Sequence, residues 1–140
     1  MDRRVKAGWY KVKQLSECFF TLLWVRALLF TGRFERVRSH IARHETNGPP
    51  ELWQQRMVAW GIPKMARFVP GATCLTQAMA GQYMLARRGC ETILRLSIDG
   101  TQGDDLRPHA WLMSGHVIVL GGKSDMYHAH RQLIDFKVRG

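Results

Sequence analysis

The 140-residue chain has only three cysteines, Cys18, Cys74 and Cys90, and no two of them form a CxxC pair. An odd, widely spaced set suggests neither a disulfide framework nor a zinc knuckle. It suits a reducing compartment, the cytoplasm, where a thiol stays free. Acidic residues are scarce, 11 against 21 Lys and Arg. No apolar stretch reaches the ~20 residues that a membrane span needs. The one candidate, Cys18–Phe30, is interrupted by Arg26. The basic start followed by that stretch imitates a signal peptide. No small-residue cleavage site follows, and Thr31 to Glu35 turns polar at once, which argues against export. Internal repeats and low-complexity tracts are lacking. Gly121-Gly122 is not followed by the Lys-Ser/Thr of a phosphate loop, and His44-Glu45 lacks the second histidine of a zincin. His128 and His130, with His116, have no acidic or cysteine ligand at the usual spacing. Neither a metal nor another cofactor is expected.

What is present describes one globular domain. Hydrophobic residues make up 46% and charged residues 23%, enough apolar surface for a core at this length. The net charge of +10 raises nucleic acid as a partner. The charge is spread, however, from Arg3, Arg4, Lys6, Lys11 and Lys13 through Arg33, Arg36, Arg38 and Arg43 into the second half. No aromatic–basic RNA signature or helix-turn-helix pattern accompanies it. The reading is a solvated basic surface, or one that attracts an acidic peptide or protein.

The order of elements predicts an α+β fold. Val12, Leu15, Phe19, Leu22, Leu23 and Arg26 through Phe30 recur at helical spacing. Gly32 breaks that helix, and 33–44 predicts a second, basic one. Residues 45–50 (ETNGPP) read as a linker, dividing a helical segment, 1–48, from a core, 49–140. Leu52, Met57, Val58 and Trp60 predict a helix interrupted by Gly61 and Pro63. Trp53 and Trp60 read as core rather than binding surface. A helix over 74–88 follows, stopped by Gly89, with Arg87 and Arg88 complementing its dipole. The period then changes to two: strands over 92–98, 109–113, 116–120 and 133–138.

Cys74 carries the most information. It stands where a helix starts, after Thr73, and a helix N-terminus favours thiolate, the nucleophile of acyl transfer. A buried, inert cysteine is the plainer alternative. Cys18, on an apolar helix face, and Cys90, past a helix end, read as structural. His109 opens a strand, a rigid platform for a general base, although a histidine satisfied at a strand edge is the plainer reading from position alone. A third group should orient the imidazole. Asp125 is the nearest acid after the strand pair, and Asp99, Asp104, Asp105 and Asp135 also exist. The spacing does not choose among them.

The run Val69-Pro70-Gly71-Ala72-Thr73-Cys74-Leu75-Thr76-Gln77-Ala78 is specific. So are Leu85 to Gly89, His109-Ala110-Trp111-Leu112, and Gly115 to Gly122. Together they resemble the leader peptidases of lasso-peptide biosynthesis, a branch of the transglutaminase-like, papain-related superfamily. The resemblance implies a catalytic helix packed on a small antiparallel sheet, behind N-terminal helices. It implies a Cys–His–Asp triad that hydrolyses one bond between leader and core of a precursor peptide. Cys74 and His109 match. The family's aspartate lies about a dozen residues after the histidine, where this chain has Gly121. Asp125 is the substitute expected if the turn folds back; a dyad assisted by a backbone carbonyl or water is the alternative. Larger relatives carry a winged-helix-like recognition module, whose strands residues 1–48 lack. The resemblance therefore implies a stand-alone protease. Its partners would be a separate leader-recognition protein and an ATP-dependent, asparagine-synthetase-like macrolactam synthetase. A transglutaminase-type acyl transferase and a non-enzymatic basic peptide- or nucleic-acid-binding module are the rival readings.

Overall fold

The computed structural model describes residues 3–99, 108–121 and 130–138. Among the described residues four helices precede four strands: α1 (Arg3–Phe30), α2 (Phe34–Ala42), α3 (Leu52–Ala66), α4 (Cys74–Arg87), β1 (Ile93–Asp99), β2 (Pro108–Ser114), β3 (Val117–Leu120) and β4 (His130–Lys137). The arrangement is α+β, a small sheet against helices. The sheet order is β3-β2-β1-β4 and every neighbouring pair is antiparallel.

Cys18, Leu22 and Val25 of α1 are buried at helical spacing, and Val37 and Ile41 of α2 join the same core. Residues of the 1–48 segment therefore share one core with α3, α4 and the sheet. The 45–50 linker is tied down as well. Asn47 N–H donates to the Gly89 carbonyl and Glu91 N–H to the Gly48 carbonyl. No helix among the described residues is long and apolar enough to cross a membrane.

Helix ends follow their glycines. Gly32 (φ 74) ends α1: its N–H donates to Leu29, and Arg33 N–H to Leu28. Gly89 (φ 76) ends α4 in the same way, with Cys90 N–H donating to Leu85. This is the six-to-one pattern that satisfies a helix's last carbonyls.

Three expectations are corrected. First, α3 runs unbroken through Gly61 and Pro63. Pro63 forfeits one bond to the carbonyl four residues back, but Ala59 is exposed, so water can take that carbonyl. At Gly61, a Cβ would meet Cys18 Sγ at 2.8 Å, so the glycine admits α1 rather than breaking α3. Second, Trp53 and Trp60 are 55% and 41% exposed, not core. Trp53 Nε1 donates to Glu51, and the Lys64 ammonium lies over the Trp60 ring. Third, Arg38 is not among the exposed arginines of α2. It is half-buried, donates to the Lys137 carbonyl and stacks on Phe136.

One ion pair locks α1 to the end of α4. Arg88 donates to both carboxylate oxygens of Glu17, at 2.8 and 2.7 Å. That hydrogen bond, reinforced by the charges of Arg88 and Arg87 and opposed by burial, holds the Glu17 carboxyl below its usual range. A depressed carboxyl contributes stability above the unfolded value, about pH 4.3. The contribution is lost as pH falls through the lower folded value. Glu17→Gln should therefore cost about 1 kcal/mol at neutral pH, a modest figure because the pair is partly solvated. The cost should be smaller at about pH 3, below the unfolded value, than at neutral pH. Urea melts of both proteins at the two pH values check this, and an equal cost at both would remove the pair from the account.

Candidate active site

Thr73 is the N-cap of α4, extended at φ -74 and ψ 177, and its Oγ1 accepts from Thr76 N–H at 3.5 Å. Cys74 is the first helical residue and half-buried. The amides of a helix's first turn have no partner within the helix, and they face the N-terminal end. Cys18 and Cys90 differ. Both are buried, and burial pushes the Cys18 thiol up to about 12, with Glu17 adding to it. Cys90 is also raised by burial, and its Sγ donates to Gln54 Oε1 at 3.2 Å. Of the three thiols, only Cys74 is not buried.

The turn before Cys74 is held from a distance. Arg26 Nε donates to the Pro70 carbonyl at 3.1 Å. Its guanidinium also lies against Gly71 (φ 78), where a Cβ would fall 2.3 Å from Nε. The charge that interrupts the apolar face of α1 is therefore a clamp on the Pro70-Gly71 turn, a role that sequence reasoning missed. Arg26→Ala should leave the fold intact but loosen the approach to Cys74. Should Cys74 act as a nucleophile, we expect about a tenfold loss in kcat with KM little changed, since misplacement of a reacting group costs rate. Steady-state kinetics decide it, and wild-type kcat would show that the turn holds itself.

His109 is the second residue of β2 and half-buried. Its Nε2 is hydrogen-bonded to the Gly121 carbonyl at 2.5 Å. A carbonyl only accepts, so Nε2 carries the proton and Nδ1 the lone pair of the neutral ring. The imidazole also lies against Trp111, with centroids 4.3 Å apart. Trp111 is itself fixed: fully buried, with Nε1 donating to Ser97 Oγ at 2.7 Å.

The helix and the strand place Cys74 and His109 at one end of the fold. At Gly81, a Cβ would meet Leu112 and Leu120 side chains at 2.9 and 2.7 Å, so the middle of α4 lies directly on β2 and β3. Buried Gln82 reaches the Thr92 and Phe136 carbonyls, which puts the later part of α4 over the start of β1 and the end of β4. Hence α4 runs alongside β2 in the same direction. Cys74 stands seven residues before Gly81, about 10 Å at the helical rise. His109 stands three residues before Leu112, again about 10 Å at the strand rise. The two are level. Alternation turns Ala110 and Leu112 toward α4, and His109, Trp111 and Ser97 toward the other face. An approach between thiol and imidazole therefore runs around the N-terminal end of β2.

The acids sort differently. Asp135 is committed to Arg95 in a two-pronged pair across β1 and β4, at 2.8 and 2.9 Å. Asp104, Asp105 and Asp125 lie outside the described residues. A cavity of about 550 Å³, lined by Thr46, Glu91, Thr92, Gly115 and Lys137 among others, sits at the opposite end of the sheet from His109.

Comparison with known proteins agrees with this architecture. No curated protein and no solved structure matches the chain. The family model of the transglutaminase-like superfamily matches residues 21–134, from the middle of α1 into β4, and so takes in Cys74, His109 and Gly121. The chain belongs to the transglutaminase-like superfamily.

Proposed function

We propose that this chain is a cysteine peptidase, papain-related in its chemistry, that removes the leader from a ribosomally made lasso-peptide precursor. Cys74 is the nucleophile and His109 the general base. The observation that carries the reading is the placement of Cys74. It is the one thiol of three not buried, it opens a capped helix, and it lies toward the same end of the α4–β2 pair as His109.

The Cys74 thiolate attacks the scissile carbonyl, and first-turn amides, including that of Cys74, stabilise the oxyanion. The C–N bond breaks as His109 gives its proton to the leaving amine. The leader stays on sulfur as a thioester, and water, deprotonated by His109, releases it. The family's aspartate falls at Gly121, and Asp125, outside the described residues, is the acid this reading substitutes for it. A free thiol suits a reducing cytoplasm, the compartment this reading assigns. A separate recognition protein presents the leader, and the exposed Arg33, Arg36 and Arg43 of the α2 region suit an acidic face on it. The asparagine-synthetase-like partner closes the ring with ATP.

Superfamily membership fits acyl transfer to an amine as well as to water, so the test is product analysis. The chain and precursor are incubated with the recognition protein, with and without a primary amine in excess. Mass spectrometry should show a leader ending in a free carboxylate in both cases. Salt should slow the reaction, because exposed charges are screened beyond about 10 Å at roughly 0.1 M. A leader amidated by the added amine would make the chain a transferase instead.

A further inference from the structure

A triad needs something to fix the imidazole, and the residue at the expected position is a glycine. We propose that the backbone carbonyl of Gly121 is the positioning group for His109, holding it as the Nε2–H tautomer. The inference rests on the Cys74–His109 reading for its catalytic meaning, though not for its geometry.

Three observations carry it. The Nε2–Gly121 bond spans 12 residues of sequence and joins β2 to the residue just past β3. Nε2 has one hydrogen, and the carbonyl takes it. Second, no side chain fits at 121 with this backbone. Gly121 has φ 127, and a Cβ there would fall 2.7 Å from a Trp111 ring carbon and 3.0 Å from the Ala110 carbonyl. The obstacle cannot easily yield, because Trp111 is buried and pinned through Ser97. Third, the same indole lies against the imidazole. Trp111 thus does two things: it limits the ring's tilt, and it requires glycine at the position whose carbonyl limits the ring's rotation. A carboxylate on residue 121 is excluded by that packing, and the peptide oxygen of residue 121 serves in its place.

The chemical consequence is specific. The carbonyl orients the ring and leaves the lone pair on Nδ1, the nitrogen that accepts the thiol proton. It offers a dipole rather than a full charge, so its contribution is orientation and tautomer more than stabilisation of the imidazolium.

The experiment reads the tautomer in the full chain without substrate. Cys74→Ala protein, in which no thiolate holds the ring as imidazolium, is labelled with 15N-histidine and examined by long-range 1H–15N correlation at about pH 8.5. The His109 signals are assigned as those missing from His109→Gln. The expected pattern is a protonated Nε2 and an unprotonated Nδ1. An Nδ1–H ring, or a ring averaging between tautomers, overturns the proposal. In Gly121→Ala, where the carbonyl must shift, the ring should average between tautomers. A folded Gly121→Ala that keeps the wild-type pattern also overturns it. Should Gly121→Ala fail to fold, Asp125→Asn decides the remaining question. The Nε2–H pattern should persist there, and a switched pattern would give the tautomer to the carboxylate. These results are independent of turnover. A chain with the Nε2–H ring that cleaves no precursor would refute the peptidase reading and leave the carbonyl's role intact. A cleaving chain with an Nδ1–H ring would do the reverse.

Discussion

Cys74→Ala should abolish leader removal, with a loss of at least about a thousandfold, while the protein stays folded. Removing a nucleophile deletes the covalent route, and what remains is binding and oxyanion stabilisation without an attacking group. The fold should tolerate the change for local reasons. Cys74 is half-buried, so deleting its sulfur opens no sealed cavity. Alanine is the best helix former, and the cap on α4 comes from Thr73, not from Cys74. The other thiols provide the control. Cys18→Ala and Cys90→Ala should keep their activity, because both sulfurs are buried and raised away from thiolate. Iodoacetamide at neutral pH should accordingly label Cys74 alone in the folded protein. Purified Cys74→Ala that still processes the precursor would end the assignment.

His109→Ala should be almost as severe, about a hundredfold to ten-thousandfold in kcat/KM, the range for losing a general acid–base group. A second readout separates loss of the base from loss of structure. Alkylation of Cys74 near neutral pH should slow, because the thiolate loses its imidazolium partner. Thermal melting should shift little. His109 is half-buried, its ring bonds lie at the end of β2, and Trp111 keeps its own bond to Ser97. Wild-type alkylation kinetics in a folded His109→Ala would mean that the two side chains do not meet around the end of the strand.

The elements that place these residues were legible in the sequence where local rules govern them. The helix from Cys74 shows its apolar spacing, its Thr73 cap and its Gly89 stop, and the structure has α4 from Cys74 to Arg87. The switch to a period of two announced the strands, and β1, β2, β3 and β4 lie within a few residues of the expected ranges. What the sequence hid depends on partners far along the chain. Arg26 reads as a flaw in an apolar face, because the carbonyl it serves lies 44 residues away. Gly61 and Pro63 read as breakers, because nothing local reveals that Cys18 needs the space at Gly61. Trp53 and Trp60 read as core from their bulk, yet they lie on the open side of α3. Gly121 is the extreme case. Its part is taken by a peptide oxygen, which every residue has, and a residue-type signal cannot announce it. The only trace in the sequence is an absence, a glycine where a carboxylate was expected.

The central claim is that Cys74 becomes covalently attached to the leader during the reaction, and one measurement tests it directly. The chain is mixed with precursor and recognition protein, quenched in acid within the first turnover, and weighed intact by mass spectrometry. Acid preserves a thioester and stops hydrolysis. The account predicts a transient species heavier than the enzyme by the leader's acyl group. Peptide mapping should place that group on Cys74, and the species should be missing from Cys74→Ala. Cleavage that proceeds with no adduct at any time within the first turnover, or with the adduct on another residue, would contradict it.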